Sequence, residues 1–290
     1  MVSQPHSLMY NSIMTHTILI DCSDAKGLEH KATGVLYHND LNVIANYEFV
    51  EEETERFFMR TEIEGKMDAE RIHNGLQGIL PADALIRISE KKKKKVVILV
   101  TKEHHCLGEL LVRNQFGELN IEVLAVIGNH EILKNFTEKF DIPFHFISHE
   151  NKTREQHEVE ILNKIKEFPI DYLILAKYMR ILSPQFVDNF KNRIINIHHS
   201  FLPAFIGANP YRQAYERGVK IIGATAHFVN NNLDEGPIIV QNVIHIDHTQ
   251  SAYEMAQMGR DVEKLALAKA LKLVFEDRVF VSGNKTIIFE

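Results

Sequence analysis

The first part of the chain alternates between the two-residue period of strands and the longer period of helices. The order of the segments is β-α-β-β-α-β, the split ferredoxin-like arrangement, in which two helices cover one face of a four-stranded antiparallel sheet. The open edges of so small a sheet favour pairing with a second copy of the chain. The predicted segments are His16–Asp21, Lys26–Tyr37, Val43–Val50, Arg56–Glu64, Met67–Leu80 and Ala84–Ile88.

Beyond this part, short β-rich runs alternate with helical segments, which predicts a doubly wound, Rossmann-like and mostly parallel α/β sheet. The strands are Val96–Thr101, Ile121–Ile127, Pro143–Ile147, Tyr172–Leu175 and Arg193–His198, and the helices between them are Leu107–Asn114, His130–Phe140, Thr153–Phe168 and Pro184–Phe190. Later segments are strands Val219–Phe228 and Ile238–Ile246, the helix Ser251–Phe275 and a closing strand pair, Arg278–Ser282 and Lys285–Phe289. Active sites of such sheets collect at the carboxyl ends of the strands.

Five consecutive lysines, Lys91–Lys95, separate the two patterns. Contiguous lysines repel one another and stay in water, which favours a solvated linker over a phosphate-binding patch. We therefore expect one domain at residues 14–90, a linker at 91–95 and a second domain at 96–290.

Composition restricts the class of function. The chain is 45% hydrophobic and 25% charged, as globular proteins are. Its net charge of −6 has the wrong sign for a general polyanion binder, so we expect no nucleic-acid partner. Cys22 and Cys106 are too few for a disulfide framework or a thiolate zinc site and suit a reducing compartment, the cytoplasm. No signal peptide and no apolar run of about 18 residues is present, so we expect no membrane association.

Several nucleotide, hydrolase and protease motifs are absent: G-x-S-x-G, G-x-x-x-x-G-K-[ST], H-E-x-x-H and a G-x-G-x-x-G after the first strand of the second pattern. Sixteen histidines raise the question of a metal. The pairs His104–His105 and His198–His199 are adjacent residues, which on a strand point to opposite faces and rarely bind one ion together. We expect neither a metal nor a cofactor.

One strand end carries polar side chains suited to catalysis. In the buried run Ile194–His198, Asn196 and His198 lie two residues apart and so emerge on the same face. Asp234 follows in the turn Leu233–Pro237. An amide, an imidazole and a carboxylate together can stabilise an oxyanion, protonate a leaving nitrogen and deprotonate water. Taken alone, Asn at a strand end and Asp in a turn are also common structural choices.

Three blocks in order, Asn196–Pro203, Gly223–Val229 and Leu233–Pro237, resemble the signature of the formyltransferase family that handles 10-formyltetrahydrofolate. The resemblance implies that residues 96–290 are the catalytic domain and that Asn196, His198 and Asp234 are the catalytic residues. The segment Ala176–Leu182 resembles the family's folate-lining segment. By that match the folate-binding residues are Met179, Arg180, Ile181 and Leu182, with Val229 opposite. From the residues alone, Met179 and Ile181 would serve equally well as core, and Arg180 as part of a surface ion pair.

The loop Asp21–Leu28 resembles that of the ACT family of amino-acid-sensing domains. This resemblance implies an effector site at Asp24, Gly27 and Leu28; glycine and methionine are the effectors associated with it. It also implies that residues 14–90 form a regulatory or assembly domain and that the protein is a homo-oligomer, a dimer or a tetramer. An ordinary glycine turn is the alternative reading of the loop.

From about Ile18 to Phe289 the chain resembles the hydrolases of this formyltransferase family, which also carry an ACT domain. This resemblance implies hydrolysis of a formamide C–N bond: 10-formyltetrahydrofolate and water give formate and tetrahydrofolate. The reaction would balance the one-carbon pool and supply formate for purine biosynthesis.

The alternative enzyme is a formyltransferase to an amine such as glycinamide ribonucleotide. Its phosphate-binding loop of small residues is not recognisable in Thr101–Leu107, where Glu103, His104 and His105 stand. A transfer-RNA formyltransferase would need a further carboxyl-terminal basic domain, and a non-catalytic folate-binding regulator would not need all three catalytic residues.

Overall fold

Residues 15–204 and 210–290 are described by the computed structural model of the protein, so Met14, the first residue of the predicted amino-terminal domain, and Phe205 lie outside the described residues. The chain divides into two units, one ending at Lys92 and one beginning at Lys93, with Phe289 grouped with the first. Of the helices in the described part of the chain, none combines the length and the apolar run that a membrane crossing requires.

The first unit is built on a four-stranded sheet in the order β2-β3-β1-β4, in which every neighbouring pair is antiparallel. Its elements are β1 (Thr15–Ser23), α1 (Leu28–Tyr37), β2 (Asn42–Glu51), β3 (Arg56–Glu64), α2 (Ala69–Gln77) and β4 (Leu85–Glu90). The structure confirms the predicted β-α-β-β-α-β order and the antiparallel sheet.

Alternation along the strands decides which face of this sheet meets the helices. Ile18 and Ile20 of β1 point to the same side, and both are only 1% exposed. They join one cluster with Leu36 of α1 and Leu76 of α2, so both helices cover that side of the sheet. Each such side chain contributes roughly 1.5–3 kcal/mol by leaving water.

The second unit contains a seven-stranded sheet in the order β11-β10-β9-β8-β5-β6-β7. Its strands are β5 (Lys94–Val100), β6 (Ile121–Gly128), β7 (Phe144–Phe146), β8 (Tyr172–Leu175), β9 (Ile194–His198), β10 (Ile221–Phe228) and β11 (Ile238–His245). The pairs from β7 through β9 are parallel, whereas β10 runs antiparallel to both of its neighbours. The mostly parallel sheet is therefore confirmed.

Helices cover both faces of this sheet, and a hairpin closes the chain. The elements are α3 (His105–Gln115), α4 (Lys134–Glu138), α5 (Arg154–Ile165), α6 (Pro184–Val187), α7 (Pro210–Arg217), α8 (Ala252–Phe275), β12 (Val279–Ser282) and β13 (Lys285–Ile288). A 3₁₀ turn at Glu131–Leu133 precedes α4, so the predicted helix His130–Phe140 is shorter and less regular than its pattern indicates.

The apolar run of β5 is buried on both faces, as expected of a central parallel strand. Val96 and Ile98 pack into the cluster that contains residues of α3 and α8. Val97 and Leu99 point the other way, into the cluster that contains residues of α5 and α6. Residues of α8 thus pack on one face of the sheet, and Glu263 and Arg260 of this helix line the cavity at the strand ends.

Two features of the second unit depart from the sequence prediction. Helix α7 was not predicted, because only Pro210 and Ala214 of its residues are buried and most of its other side chains are polar. Strand β5 begins at Lys94, two residues earlier than predicted. Lys94 Nζ lies 3.1 Å from Asp277 Oδ2, so this lysine has a specific partner and is not part of a solvated run.

A close backbone approach fixes the turn before β11. A Cβ on Gly236 would lie 1.8 Å from the carbonyl oxygen of Phe228, so only glycine fits. We expect Gly236→Ala to lower the free energy of unfolding by about 1–3 kcal/mol, since the backbone must shift. Urea unfolding of the full chain measures this.

The same substitution at Gly34 is the control, because nothing lies within 4 Å of a Cβ built there. Gly34 is inside α1, where alanine is the better helix former by about 1 kcal/mol, so Gly34→Ala should stabilise the protein. Equal effects of the two substitutions would contradict the close approach at Gly236.

Candidate active site

The carboxyl end of β9 opens into a cavity of about 870 Å³. Asn196 and His198 line it, and their two-residue spacing puts both side chains on one face, as the sequence predicts. Beside them, β10 runs antiparallel and places His227 directly opposite Asn196. The cavity therefore forms where the sheet changes from parallel to antiparallel pairing.

Asp234 reaches this strand end from the turn between β10 and β11. Its φ of 57° is left-handed, a conformation that Asp and Asn adopt more readily than most residues. Its Oδ1 lies 3.3 Å from His198 Nδ1 and 3.8 Å from His227 Nε2. The structure thus brings together the three residues that the sequence proposed as catalytic.

Five buried side-chain nitrogen or oxygen atoms of the described residues have no hydrogen-bond partner, and His198 Nε2 is the one whose residue lines the cavity. Nε2 is buried, and no described residue hydrogen-bonds to it. A buried polar atom without a partner costs roughly 1–3 kcal/mol, so natural proteins rarely retain one without a use for it. With Asp234 on one side of the imidazole, Nε2 is the atom left free to bind a ligand.

His227 is a site residue that the sequence analysis did not single out. The Asn196 amide donates to His227 Nε2 at 3.2 Å, and His227 Nδ1 donates to the carbonyl oxygen of Phe228 at 2.8 Å. These bonds define the neutral tautomer, and burial lowers the pKa of His227 accordingly. His227 therefore orients Asn196, whose amide has a second N–H to donate. The register of β10 against β9 was the information needed to find it.

The electrostatics of Asp234 favour its ionised form. Burial alone would raise the pKa of Asp234, but the hydrogen bond and the positive potential of His198 outweigh burial, and the pKa falls below its usual value of 3.8. At neutral pH the group is a carboxylate, able to accept a proton from water.

The five residues proposed to bind folate, Met179–Leu182 and Val229, all line the cavity. Met179 and Ile181 are 57% and 55% exposed, which is incompatible with the alternative that they are core residues. Arg180 forms no ion pair with any described residue, in contrast to the alternative of a surface salt bridge. These side chains are thus available to a ligand in the cavity.

A buried ionic cluster borders the same cavity. Its centre is Glu263 of α8, which accepts hydrogen bonds from His105 Nε2 at 2.7 Å and from the Tyr211 hydroxyl at 2.6 Å. Lys177 Nζ lies 3.2 Å from the same carboxylate. Burial would raise the pKa of Glu263, but its bond with His105, the charge of Lys177 and the Tyr211 hydroxyl lower it. Burial would lower the pKa of His105, but bonds with Cys106, Glu103 and Glu263 raise it.

Three of these groups have metal-ligand chemistry: atoms of His105, Cys106 and Glu263 lie within 4.8 Å of one another. The Glu263 carboxylate, however, is already bound to three donors, one of them the Lys177 ammonium. Burial, its largest influence, raises the pKa of the Cys106 thiol and so disfavours the thiolate that a metal needs. The donor set fits an ion network better than a metal centre.

The residues proposed for an effector lie in the first unit, around the start of α1. Gly27 is the N-cap residue, with a φ of 78°. Asp24 is exposed and its N–H donates to the carbonyl oxygen of Glu55 at 2.8 Å, whereas Leu28 is buried. The side chain of Leu28 therefore belongs to the core of this unit.

Comparison with known proteins agrees with the geometry. Residues 94–271 match the formyl transferase family. A formyltetrahydrofolate deformylase of Haemophilus influenzae is 55% identical over 271 residues, 93% of this chain and 98% of that protein. The crystal structure of a formyltetrahydrofolate deformylase from Pseudomonas syringae pv. tomato superposes with a TM-score of 0.92 at 36% identity, covering 98% of this chain and 97% of that one. A glycinamide ribonucleotide transformylase from Symbiobacterium toebii gives a TM-score of 0.65 at 26% identity, covering 68% of this chain and 95% of that one.

The fold and the site thus define a member of the formyl transferase family. Within that family the chain belongs with the formyltetrahydrofolate deformylases, which it matches over nearly its whole length, whereas about a third of the chain has no counterpart in the transformylase.

Stability in acid should depend on Glu263. Its pKa is lowered on folding, so the carboxylate stabilises the folded state above its ordinary pKa of 4.5, and this stabilisation is lost as the pH falls below that value. Glu263→Gln leaves Lys177 and His105 without their carboxylate and should lower the free energy of unfolding by about 3 kcal/mol near neutral pH. The difference from wild type should shrink at about pH 3.5 in urea titrations.

Glu109→Gln is the matched control, because Glu109 forms only a partly exposed ion pair with Arg113 on α3. It should change the free energy of unfolding by less than about 1 kcal/mol. A difference between Glu263→Gln and wild type that grows in acid would contradict the lowered pKa.

Proposed function

We propose that the protein hydrolyses 10-formyltetrahydrofolate to formate and tetrahydrofolate. The observation that carries this proposal is the buried, unpartnered Nε2 of His198 beside the Asp234 carboxylate, at the end of a strand and within a cavity large enough for a folate. The likeness to deformylases over nearly the whole chain supports the same reaction.

The side chains are suited to each step of the hydrolysis. Asp234 accepts a proton from water, whose oxygen attacks the formyl carbon. The second N–H of Asn196 and the free ring nitrogen of His198 stabilise the resulting oxyanion. The C–N bond to the folate then breaks, and the folate nitrogen takes up a proton delivered through His198. Formate and tetrahydrofolate leave, with no redox change and no cofactor required.

The substrate would lie along the exposed side chains of Met179 and Ile181, with Arg180, Leu182 and Val229 completing the frame of the pterin. Their arrangement around one cavity supports this assignment. Exposed apolar side chains beside a cavity are available to cover the flat face of an aromatic ligand.

Water, and no phosphorylated amine, is the proposed acceptor. Glu103 lies 3.4 Å from His105 Nδ1 and 3.4 Å from Arg260 Nε, so the acidic residue of the first loop is fixed by cations of the same unit. The phosphate of a ribonucleotide substrate bound at this loop would be repelled by the Glu103 carboxylate. The likeness to the transformylase makes formyl transfer to glycinamide ribonucleotide the second candidate function. Release of formate in the absence of an amine would distinguish hydrolysis from this transfer.

The wider role proposed for the protein is to balance the one-carbon folate pool and to supply formate for purine biosynthesis in the cytoplasm. Buried free thiols at Cys22 and Cys106 are consistent with a reducing compartment. The first unit is proposed to act as an ACT domain that binds glycine or methionine at Asp24, Gly27 and Leu28. Gly27 has no side chain that would obstruct a ligand there.

The catalytic assignment predicts the effect of Asp234→Asn. Asparagine keeps the size of the side chain and tolerates the left-handed backbone, but it cannot accept the proton from water. We expect kcat for formate release to fall by about 10²-fold or more, while folate binding is retained. Release of formate from 10-formyltetrahydrofolate, with no amine present, is the measurement.

Asp141→Asn provides the matched control, since Asp141 also has a left-handed φ, of 58°, and is exposed outside the cavity. Its kcat should equal that of the wild type. Near-normal turnover by Asp234→Asn would remove Asp234 from the mechanism.

Assembly is proposed to involve the edge of the first sheet. Ile44 and Phe49 of β2 are 47% and 45% exposed on this edge strand, and exposed apolar edges favour strand pairing. The double substitution Ile44→Lys and Phe49→Lys should shift the oligomer towards monomer in sedimentation equilibrium. Val112→Lys, on α3 with 45% exposure, is the control and should leave the mass unchanged. An unaltered mass in the double variant would reject this edge as the interface.

A further inference from the structure

Lys177 combines two features that are individually unfavourable. It follows the end of β8 with a φ of 60°, a left-handed conformation in which glycine is comfortable and lysine is strained. Its side chain is nevertheless buried, at 5% exposure, in the wall of the active-site cavity. Strained residues cluster at functional sites, where the surrounding structure holds them in place. The strain therefore calls for an explanation in the chemistry of the cavity.

Two contacts hold the Lys177 ammonium. It lies 3.2 Å from Glu263 Oε2 and donates to His199 Nδ1 at 3.0 Å. Because an ammonium has donors only, His199 accepts at Nδ1, and the neutral ring carries its proton on Nε2. The His199 ring stacks on that of His198, with centroids 5.0 Å apart and planes at 15°. The His199 ring thus contacts both the Lys177 ammonium and the proposed catalytic imidazole of His198.

These contacts are the ones that an amine acceptor would need. An amine nucleophile beside His198 requires acceptors for its N–H groups, and Glu263 and the Nδ1 atom of His199 lie in this wall of the cavity. Lys177 already occupies both with its own ammonium. A protonated amine would also be repelled by that charge. Water is smaller and needs neither acceptor.

We propose that Lys177 is the specificity-determining residue that restricts the reaction to water, by occupying the hydrogen-bonding positions that an acceptor amine would use. The proposal rests on the hydrolysis proposed above and names the device that selects its acceptor. A lysine in a backbone conformation suited to glycine is then understandable, because a glycine there would remove one of the three donors to the Glu263 carboxylate and the donor to His199 Nδ1, and a substrate amine could take their place.

In a variant without this ammonium, the chemistry is formyl transfer. The nitrogen of a small primary amine attacks the formyl carbon, forming a new C–N bond. The C–N bond to the folate breaks, the amine nitrogen loses a proton, and the folate nitrogen gains one. The products are a formamide and tetrahydrofolate, without change of oxidation state.

The test is the substitution Lys177→Gly in the full chain, which also relieves the backbone strain. Wild type and variant are given 10-formyltetrahydrofolate with glycinamide as the probe amine, and formate and formylglycinamide are both quantified. We expect the ratio of formylglycinamide to formate to rise roughly 10- to 100-fold, the range that one altered contact in a specificity site supplies. A purely structural role would lower both products together and leave this ratio unchanged.

A second variant, Lys177→Asn, guards against a folding defect, since asparagine is short and also tolerates the left-handed backbone. Lys191→Gly, at an exposed lysine, is the matched control and should keep the wild-type ratio. An unchanged ratio in both Lys177 variants, or loss of both products in two variants that remain folded by circular dichroism, would overturn the proposal for Lys177 alone. A wild type that forms no formate without amine would instead overturn the hydrolysis, and this proposal with it.

Discussion

Strand β9 pairs in parallel with β8 and antiparallel with β10, and the site depends on this double role. Parallel pairing brings the carboxyl end of β9 to the edge of the sheet where the segment after β8 also emerges. Antiparallel pairing brings a strand in from the opposite direction, so that His227 lies against Asn196 and the next turn returns Asp234 to His198.

Burial of charge is the second organising element. Glu263, only 1% exposed, would be strongly destabilising alone, since removing a carboxylate from water costs several kcal/mol after relaxation. Its partners come from three separate segments: His105 from the start of α3, Lys177 from the end of β8 and Tyr211 from α7. The cluster therefore ties distant parts of the second unit to α8 at the margin of the cavity.

Much of this architecture could be predicted from the sequence, because β-rich runs and helical periods are local signals. The two-residue spacing of Asn196 and His198 likewise encodes a shared face. Asp234 needed the family resemblance, since no local rule says which turn returns to a strand end. Sequence reasoning could not single out His227, Glu263 or Lys177, because each depends on a hydrogen-bond partner that is distant in the chain. These partners lie 31, 158 and 22 residues away, respectively. The lysine run departs from its prediction at Lys94, where the ion pair with Asp277 outweighs the local repulsion.

The vacant ring nitrogen of His198 has a consequence for how the enzyme can evolve. Folding buries this atom without a hydrogen-bond partner among the described residues, which costs roughly 1–3 kcal/mol. Selection for stability alone would therefore not favour an unpartnered nitrogen at this position. In the proposed mechanism the substrate supplies the hydrogen bond that this nitrogen lacks, so substrate binding offsets a cost already incurred on folding.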